Sequence, residues 1–126
     1  EPGATVCAPP SLTYDDLLRS NFIGLLTATF RRDLCPDLRF QEGGHEDYVF
    51  WLRATRIAGI IRATLPGTPL AHYRVRRNSL SARKGRALVW QWHIYRKVLN
   101  LSLFRSMFYF LCYVVNAVRK RCSSKF

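Results

Sequence analysis

Acidic side chains are missing from the whole chain beyond Asp47. All eight carboxylates fall within residues 1–47, and residues 48–126 carry 16 of the 20 Lys and Arg. A field of one sign attracts anions of every kind, so nucleic acid, anionic lipid and phosphorylated small molecules are all compatible with it. Cysteines in closely spaced pairs are also absent. Cys7, Cys35, Cys112 and Cys122 stand far apart, which points away from a zinc site or a small disulfide framework and towards reduced thiols in a cytosolic setting. No charged segment followed by an apolar run opens the chain, so the pattern of a secretory signal is lacking. The apolar stretch between Arg105 and Arg119 holds 13 uncharged residues, short of the roughly 20 that a membrane-spanning helix needs, and reads as a packing or interfacial helix. There is no internal repeat and no low-complexity tract.

What is present is the size and composition of one globular domain or part of one, at 126 residues and 48% hydrophobic content. The first residue is Glu1, and Glu1 to Pro10 is rich in Pro and Gly, which reads as a chain that begins inside a longer protein. Ser11 to Arg19 opens with capping hydroxyls and places Asp15 and Asp16 in a first turn, predicting a short helix. Phe22 to Phe30 is apolar and Thr-rich and predicts a buried strand. After Gly43 and Gly44, the apolar residues Val49, Phe50, Leu52, Ile57 and Ile60 give a face, interrupted by Arg53 and Arg56 at helical spacing, that predicts a helix over 46–58. Pro66, Gly67 and Pro69 break the chain before Leu70 to Arg76, which predicts a strand with a basic end. Ala82 to Leu99 and Leu103 to Val118 predict two further helices. The order helix, strand, helix, strand, helix, helix is an α/β pattern.

Three segments carry a resemblance. They are Asn21-Phe-Ile-Gly24 with Thr27 and Arg31-Arg32-Asp33; His45-Glu-Asp-Tyr-Val-Phe-Trp-Leu-Arg53; and Tyr73-Arg-Val-Arg-Arg-Asn-Ser-Leu-Ser81, which runs on into Trp90-Gln-Trp-His-Ile-Tyr-Arg96. In this order the set resembles family 2 glycosyltransferases of bacterial surface-polysaccharide synthesis, over about residues 11–118. The resemblance implies a GT-A fold, an α/β sandwich whose first half binds the sugar nucleotide and whose second half supplies the acceptor site and the catalytic base. This chain resembles the second half only. An Asp-x-Asp metal motif at a strand end does not precede residue 45. The implied organisation is residues 1–81 as a partial catalytic domain and residues 82–126 as a C-terminal extension of two amphipathic helices with a basic tail.

By the family pattern, Asp47 is the base that deprotonates the acceptor hydroxyl in an inverting displacement, and Glu46 orients the acceptor or a neighbouring Arg. The residues alone allow a plainer reading, in which both carboxylates only complement the dipole of the helix they open. Trp51 offers a flat face to a sugar ring or is a core residue, and His45 is an acceptor ligand or an N-cap. Arg74, Arg76 and Arg77 would neutralise the departing diphosphate, or form a solvated basic loop. Many relatives have His where this chain has Arg76, and that His can help to hold a metal. Here the role would be electrostatic, so Mg2+ or Mn2+ in the complete enzyme would take its ligands from outside this chain. Ser79 and Ser81 shape the loop or cap the following helix.

The implied partners are a nucleotide-sugar donor and a saccharide or lipid-linked acceptor. The implied location is cytoplasmic, peripheral on the inner face of the bacterial plasma membrane. The aromatic final helix, flanked by Arg119, Lys120, Arg121 and Lys125, suits the headgroup region of an anionic membrane, and packing on the domain is the alternative. Without a nucleotide-binding half the chain is expected to be inactive alone. Two other readings compete. One is a nucleic-acid-binding module, motivated by basic residues interleaved with Trp90, Trp92 and Tyr95, although no helix-turn-helix, zinc or RNA-recognition signature accompanies them. The other is a non-catalytic membrane-surface domain in which Asp47 is structural.

Overall fold

The structure is a computed structural model that describes residues 7–43, 45–64, 70–72 and 84–123. Strand β1 (Ser11–Thr13) leads directly into helix α1 (Tyr14–Arg19). A 3-10 turn at Arg32–Leu34 interrupts a long connection to helix α2 (Glu46–Ala58), which is followed by strand β2 (Ile60–Arg62). Helix α3 (Lys84–His93) continues into a π-helical turn at Ile94–Val98, and helix α4 (Leu103–Ser123) ends the described chain.

The hydroxyl-and-acid pattern read at Ser11–Arg19 is a capping box. The Thr13 hydroxyl accepts from the Asp16 amide at 3.3 Å, while the Asp16 carboxylate accepts from the Thr13 amide at 3.0 Å, which closes two otherwise unpaired donors reciprocally. The two residues ahead of it extend rather than coil. β1 pairs antiparallel with β2, with Leu12 opposite Ile61, and the Ala63 amide donates to the Pro10 carbonyl at 3.0 Å to lengthen the ladder. These strands form the two-stranded sheet of the described residues.

The predicted strand at Phe22 to Phe30 is not formed. The Asn21 side chain accepts from the Ile23 amide at 3.1 Å, and the Thr27 amide reaches back to the Gly24 carbonyl at 3.3 Å. This succession of turns leaves Leu25 and Leu26 at 54% and 63% exposure. A side-chain amide and a glycine, both turn-forming, outweigh the β propensity of the Thr-rich run. The predicted strand from Leu70 to Arg76 lies largely outside the described residues, and Leu70 to His72 are not in a strand. The helix predicted over 46–58 is α2 with those bounds, and the two C-terminal helices are present.

One core joins the elements. Leu12, Leu17 and Leu18 meet Tyr48, Phe50, Trp51 and Leu52 from α2, together with Ile94, Tyr95 and Tyr109 from the C-terminal helices. The π-helical turn ends where the Leu99 amide donates to the Ile94 carbonyl at 2.9 Å and Asn100 takes a left-handed conformation at φ 50°, which Asn tolerates better than most residues. α4 then returns along α1. The Tyr109 hydroxyl donates to Asp15 at 3.0 Å, the Asn116 amide to the Arg19 carbonyl at 3.2 Å, and the Lys120 ammonium to Ser20 and Asn21 at 2.9 and 3.1 Å.

Candidate functional site

The acidic pair sits where an abrupt turn becomes a helix. Gly43 has φ 148°, and His45, the residue before α2, is left-handed at φ 55° and ψ 39°. Glu46 and Asp47 therefore occupy the first turn of α2, where free amides and the helix dipole favour negative charge. The Asp47 carboxylate accepts from the Tyr48 amide at 2.8 Å. Glu46 is exposed and Asp47 half-buried, so both carboxylates stand at the rim of the core rather than within it.

Tyr48 holds this turn in place. It is buried, donates from its hydroxyl to the Leu17 carbonyl at 2.6 Å, and accepts from the Gln91 amide at 3.1 Å. Tyr95 makes the equivalent hydrogen bond to the Leu18 carbonyl. The two phenols thus satisfy adjacent carbonyls near the end of α1 and tie α1, α2 and α3 together around the residue next to Asp47. Burial pushes both hydroxyls above the usual phenol range, Tyr95 to about 12, so both stay neutral, as buried donors must. Sequence reasoning placed Tyr48 within the resemblance but assigned it no task. Its signal was a polar ring inside an otherwise apolar run.

Of the residues proposed from sequence, His45 packs edge-on against Trp90 with ring centroids 5.0 Å apart, and its Nε2 atom is buried without a hydrogen-bond partner. It occupies the N-cap position, yet its side chain makes no capping hydrogen bond. Trp51 is 4% exposed and lies edge-on to Phe50 and Phe30. This is the core placement of the two considered, with neither ring face open to a sugar. Arg74, Arg76 and Arg77, with Ser79 and Ser81, lie outside the described residues. Asp15 and Asp16, the other adjacent carboxylates, are occupied by Tyr109 and Thr13.

Among the described residues no cluster of three or more His, Cys, Asp or Glu comes together that could hold a metal ion. The described groups therefore do not fit a metal site of their own. Two concavities stand elsewhere. One lies between α1 and α4, lined by Phe22, Phe108 and Leu111 together with Arg19 and Arg119. The other lies beside Arg53, Arg56 and Ile57. Glu46 and Asp47 line neither of them.

Comparison with known proteins gives three bacterial glycosyltransferases. The chain is 33% identical over 115 residues to TuaG of Bacillus subtilis, a glycosyltransferase named for teichuronic acid biosynthesis, covering 90% of this chain and 45% of that protein. It is 32% identical over 113 residues to the Escherichia coli UDP-Glc:alpha-D-GlcNAc-diphosphoundecaprenol beta-1,3-glucosyltransferase WfgD, covering 90% and 44%. An uncharacterized glycosyltransferase of Haemophilus influenzae is 28% identical over 116 residues, covering 91% and 46%. The resemblance to bacterial surface-polysaccharide glycosyltransferases therefore holds over nine-tenths of the chain, and the chain spans under half the length of each relative. No protein-family model and no solved structure matches it.

Proposed function

We propose that this chain is the acceptor-side, C-terminal half of an inverting family 2 glycosyltransferase of GT-A fold, with Asp47 as its catalytic base. The observation that carries the reading is the match of nine-tenths of the chain to glycosyltransferases. The mixed helix and strand architecture is compatible with it, and so is the placement of Asp47 at a helix N-terminus braced by Tyr48.

In the proposed reaction the Asp47 carboxylate takes the proton of an acceptor hydroxyl as its oxygen bonds to the anomeric carbon of the donor. The bond from that carbon to the diphosphate breaks on the opposite face, and the nucleoside diphosphate leaves with the electron pair. Configuration is inverted in a single step, and a carboxylate within hydrogen-bond reach of the hydroxyl is the requirement. Glu46 orients the acceptor. Arg74, Arg76 and Arg77 offset the charge of the leaving diphosphate. Where the complete enzyme uses Mg2+ or Mn2+, the metal is held by residues outside this chain.

The donor is a nucleotide sugar and the acceptor a growing surface polysaccharide or a lipid-linked saccharide, used at the inner face of the bacterial plasma membrane. WfgD, by its name, acts on a diphosphoundecaprenol-linked sugar, which supports the lipid-linked class. The nucleotide-binding half lies outside these residues, and the 126 residues alone are inactive. In the protein that carries this chain, transfer of radiolabelled sugar is expected to fall by about 10²–10⁴-fold in Asp47→Asn, the range of a lost general base, while the circular dichroism spectrum is unchanged. Transfer retained within a factor of about 3 would remove Asp47 from the role.

A further inference from the structure

Helix α2 opens without a side-chain cap. The residue before a helix ordinarily takes an extended conformation and offers a side-chain oxygen to an amide two or three positions further on. Thr13 does so for α1: it is extended at φ −102° and ψ 170°, and its hydroxyl accepts from the Asp16 amide, three residues on. His45 does neither for α2. Its backbone is left-handed at φ 55° and ψ 39°, its side chain makes no capping hydrogen bond, and its ring lies edge-on to Trp90 of α3. The amide that corresponds to that of Asp16 is the one on Tyr48, and it donates to the Asp47 carboxylate at 2.8 Å. For stability alone the choice is a poor one, since a left-handed non-glycine residue is strained and the Nε2 atom of His45 is buried without a hydrogen-bond partner.

We propose that His45 is a positioning residue for Asp47: by withholding a capping oxygen it leaves the Tyr48 amide to the Asp47 carboxylate, which is pinned at Oδ1 with its other oxygen left to take the proton. The inference rests on the reading of Asp47 as the base and adds the residue that aims it. A backbone amide carries a single hydrogen, so a capping side chain at position 45 and the Asp47 carboxylate compete for the same donor. A Ser at position 45 would take it, as Thr13 takes the amide of Asp16, and free the carboxylate to rotate away. The Trp90 ring holds His45 in the conformation that avoids this, from the same helix whose Gln91 donates to the Tyr48 hydroxyl. The N-terminus of α2 thus gives up helix stability for a fixed carboxylate, a conflict of the kind found at functional sites.

Transfer of radiolabelled sugar by the protein that carries this chain, measured beside its Tm, tests the proposal. His45→Ser supplies a capping oxygen and is expected to hold or raise the Tm while kcat falls about 10–100-fold and the donor KM changes little. His45→Gly accepts the left-handed backbone and brings no oxygen, and its kcat is expected to stay about fivefold or more above that of His45→Ser, at a Tm no higher. A residue that served only the fold would give the opposite order, because Ser is the better cap. In the Asp47→Asn background the two substitutions are expected to give equal rates, since His45 acts through the carboxylate. Three outcomes would overturn the proposal: equal kcat for the Ser and Gly variants, a lower Tm for Ser than for Gly, or a difference in rate between them that persists beside Asp47→Asn. Transfer retained by Asp47→Asn alone would remove the base and this inference with it, whereas loss in Asp47→Asn with equal Ser and Gly variants would remove this inference only.

Discussion

Replacing Tyr48 with Phe removes one oxygen atom from the interior and leaves the ring in place. That oxygen serves two buried partners, donating to the Leu17 carbonyl at 2.6 Å and accepting from the Gln91 amide at 3.1 Å. Leu17 and Gln91 are almost completely enclosed, so water does not take over either bond. A buried polar group left unpaired costs about 1–3 kcal/mol. With two partners stranded and some relaxation of the Gln91 side chain, the expected loss is about 2–4 kcal/mol. That is a large part of the roughly 5–15 kcal/mol by which a domain is stable. In urea titrations followed by tryptophan fluorescence, the midpoint should fall by about 1–3 M at unchanged slope. Gln91→Met removes one of the stranded partners, so the double variant Tyr48→Phe/Gln91→Met should lose less than the sum of the two single losses. There is also a pH signature. Both phenols are held above their ordinary value of 10.0, Tyr95 at about 12. The stability they contribute is therefore fully present below pH 10 and declines as the pH rises towards 12 and the unfolded phenols ionise. Tyr48→Phe should make that decline shallower. A loss below about 0.5 kcal/mol, or additive single losses, would refute the account of Tyr48 as the brace of the α2 N-terminus.

The C-cap of α2 gives a cleaner backbone test. Gly59 has φ 78°, and nothing lies within 4 Å of the place where a Cβ would stand. Gly59→Ala should therefore cost only its conformational strain, about 1–3 kcal/mol, seen as a lower Tm; an unchanged Tm would mean that Gly59 does not keep its positive φ in solution. In the capping box of α1, the hydrogen bonds from the Thr13 hydroxyl and amide hold the Asp16 carboxyl below the usual carboxylate range. Its contribution is present above about pH 3.8 and is lost as the pH falls through the depressed folded value. Asp16→Asn should cost about 1 kcal/mol at neutral pH and remove part of the acid sensitivity; urea midpoints at neutral and acid pH would show both, and equal acid sensitivity in the two proteins would count against the capping box.

The elements that could be read from the sequence are those whose causes are local. Gly43, the acidic pair and the apolar residues from Val49 onward mark the start and face of α2 within a few residues of one another. The capping box of α1 is likewise contained in Thr13 to Asp16. The segment Phe22 to Phe30 had the composition of a strand, but Asn21 and Gly24 turn it, and a strand also needs a neighbour to take its backbone bonds. The candidate site divides in the same way. Glu46 and Asp47 were legible as the last carboxylates before a wholly basic stretch, whereas the task of Tyr48 was not, because its partners lie 31 and 43 positions away.

The sequence by itself determined the helices, their local caps, the absence of negative charge beyond Asp47 and the likeness to glycosyltransferases. Only the tertiary structure decided that Ser11–Thr13 extends to pair with Ile60–Arg62, that Trp51 faces Phe30 and Phe50, and that α4 turns Ser106 and Tyr109 inward and Phe104 and Met107 outward. Spacing along a chain tells which residues share a face. Which face is buried depends on hydrogen-bond partners and packing surfaces supplied by distant segments.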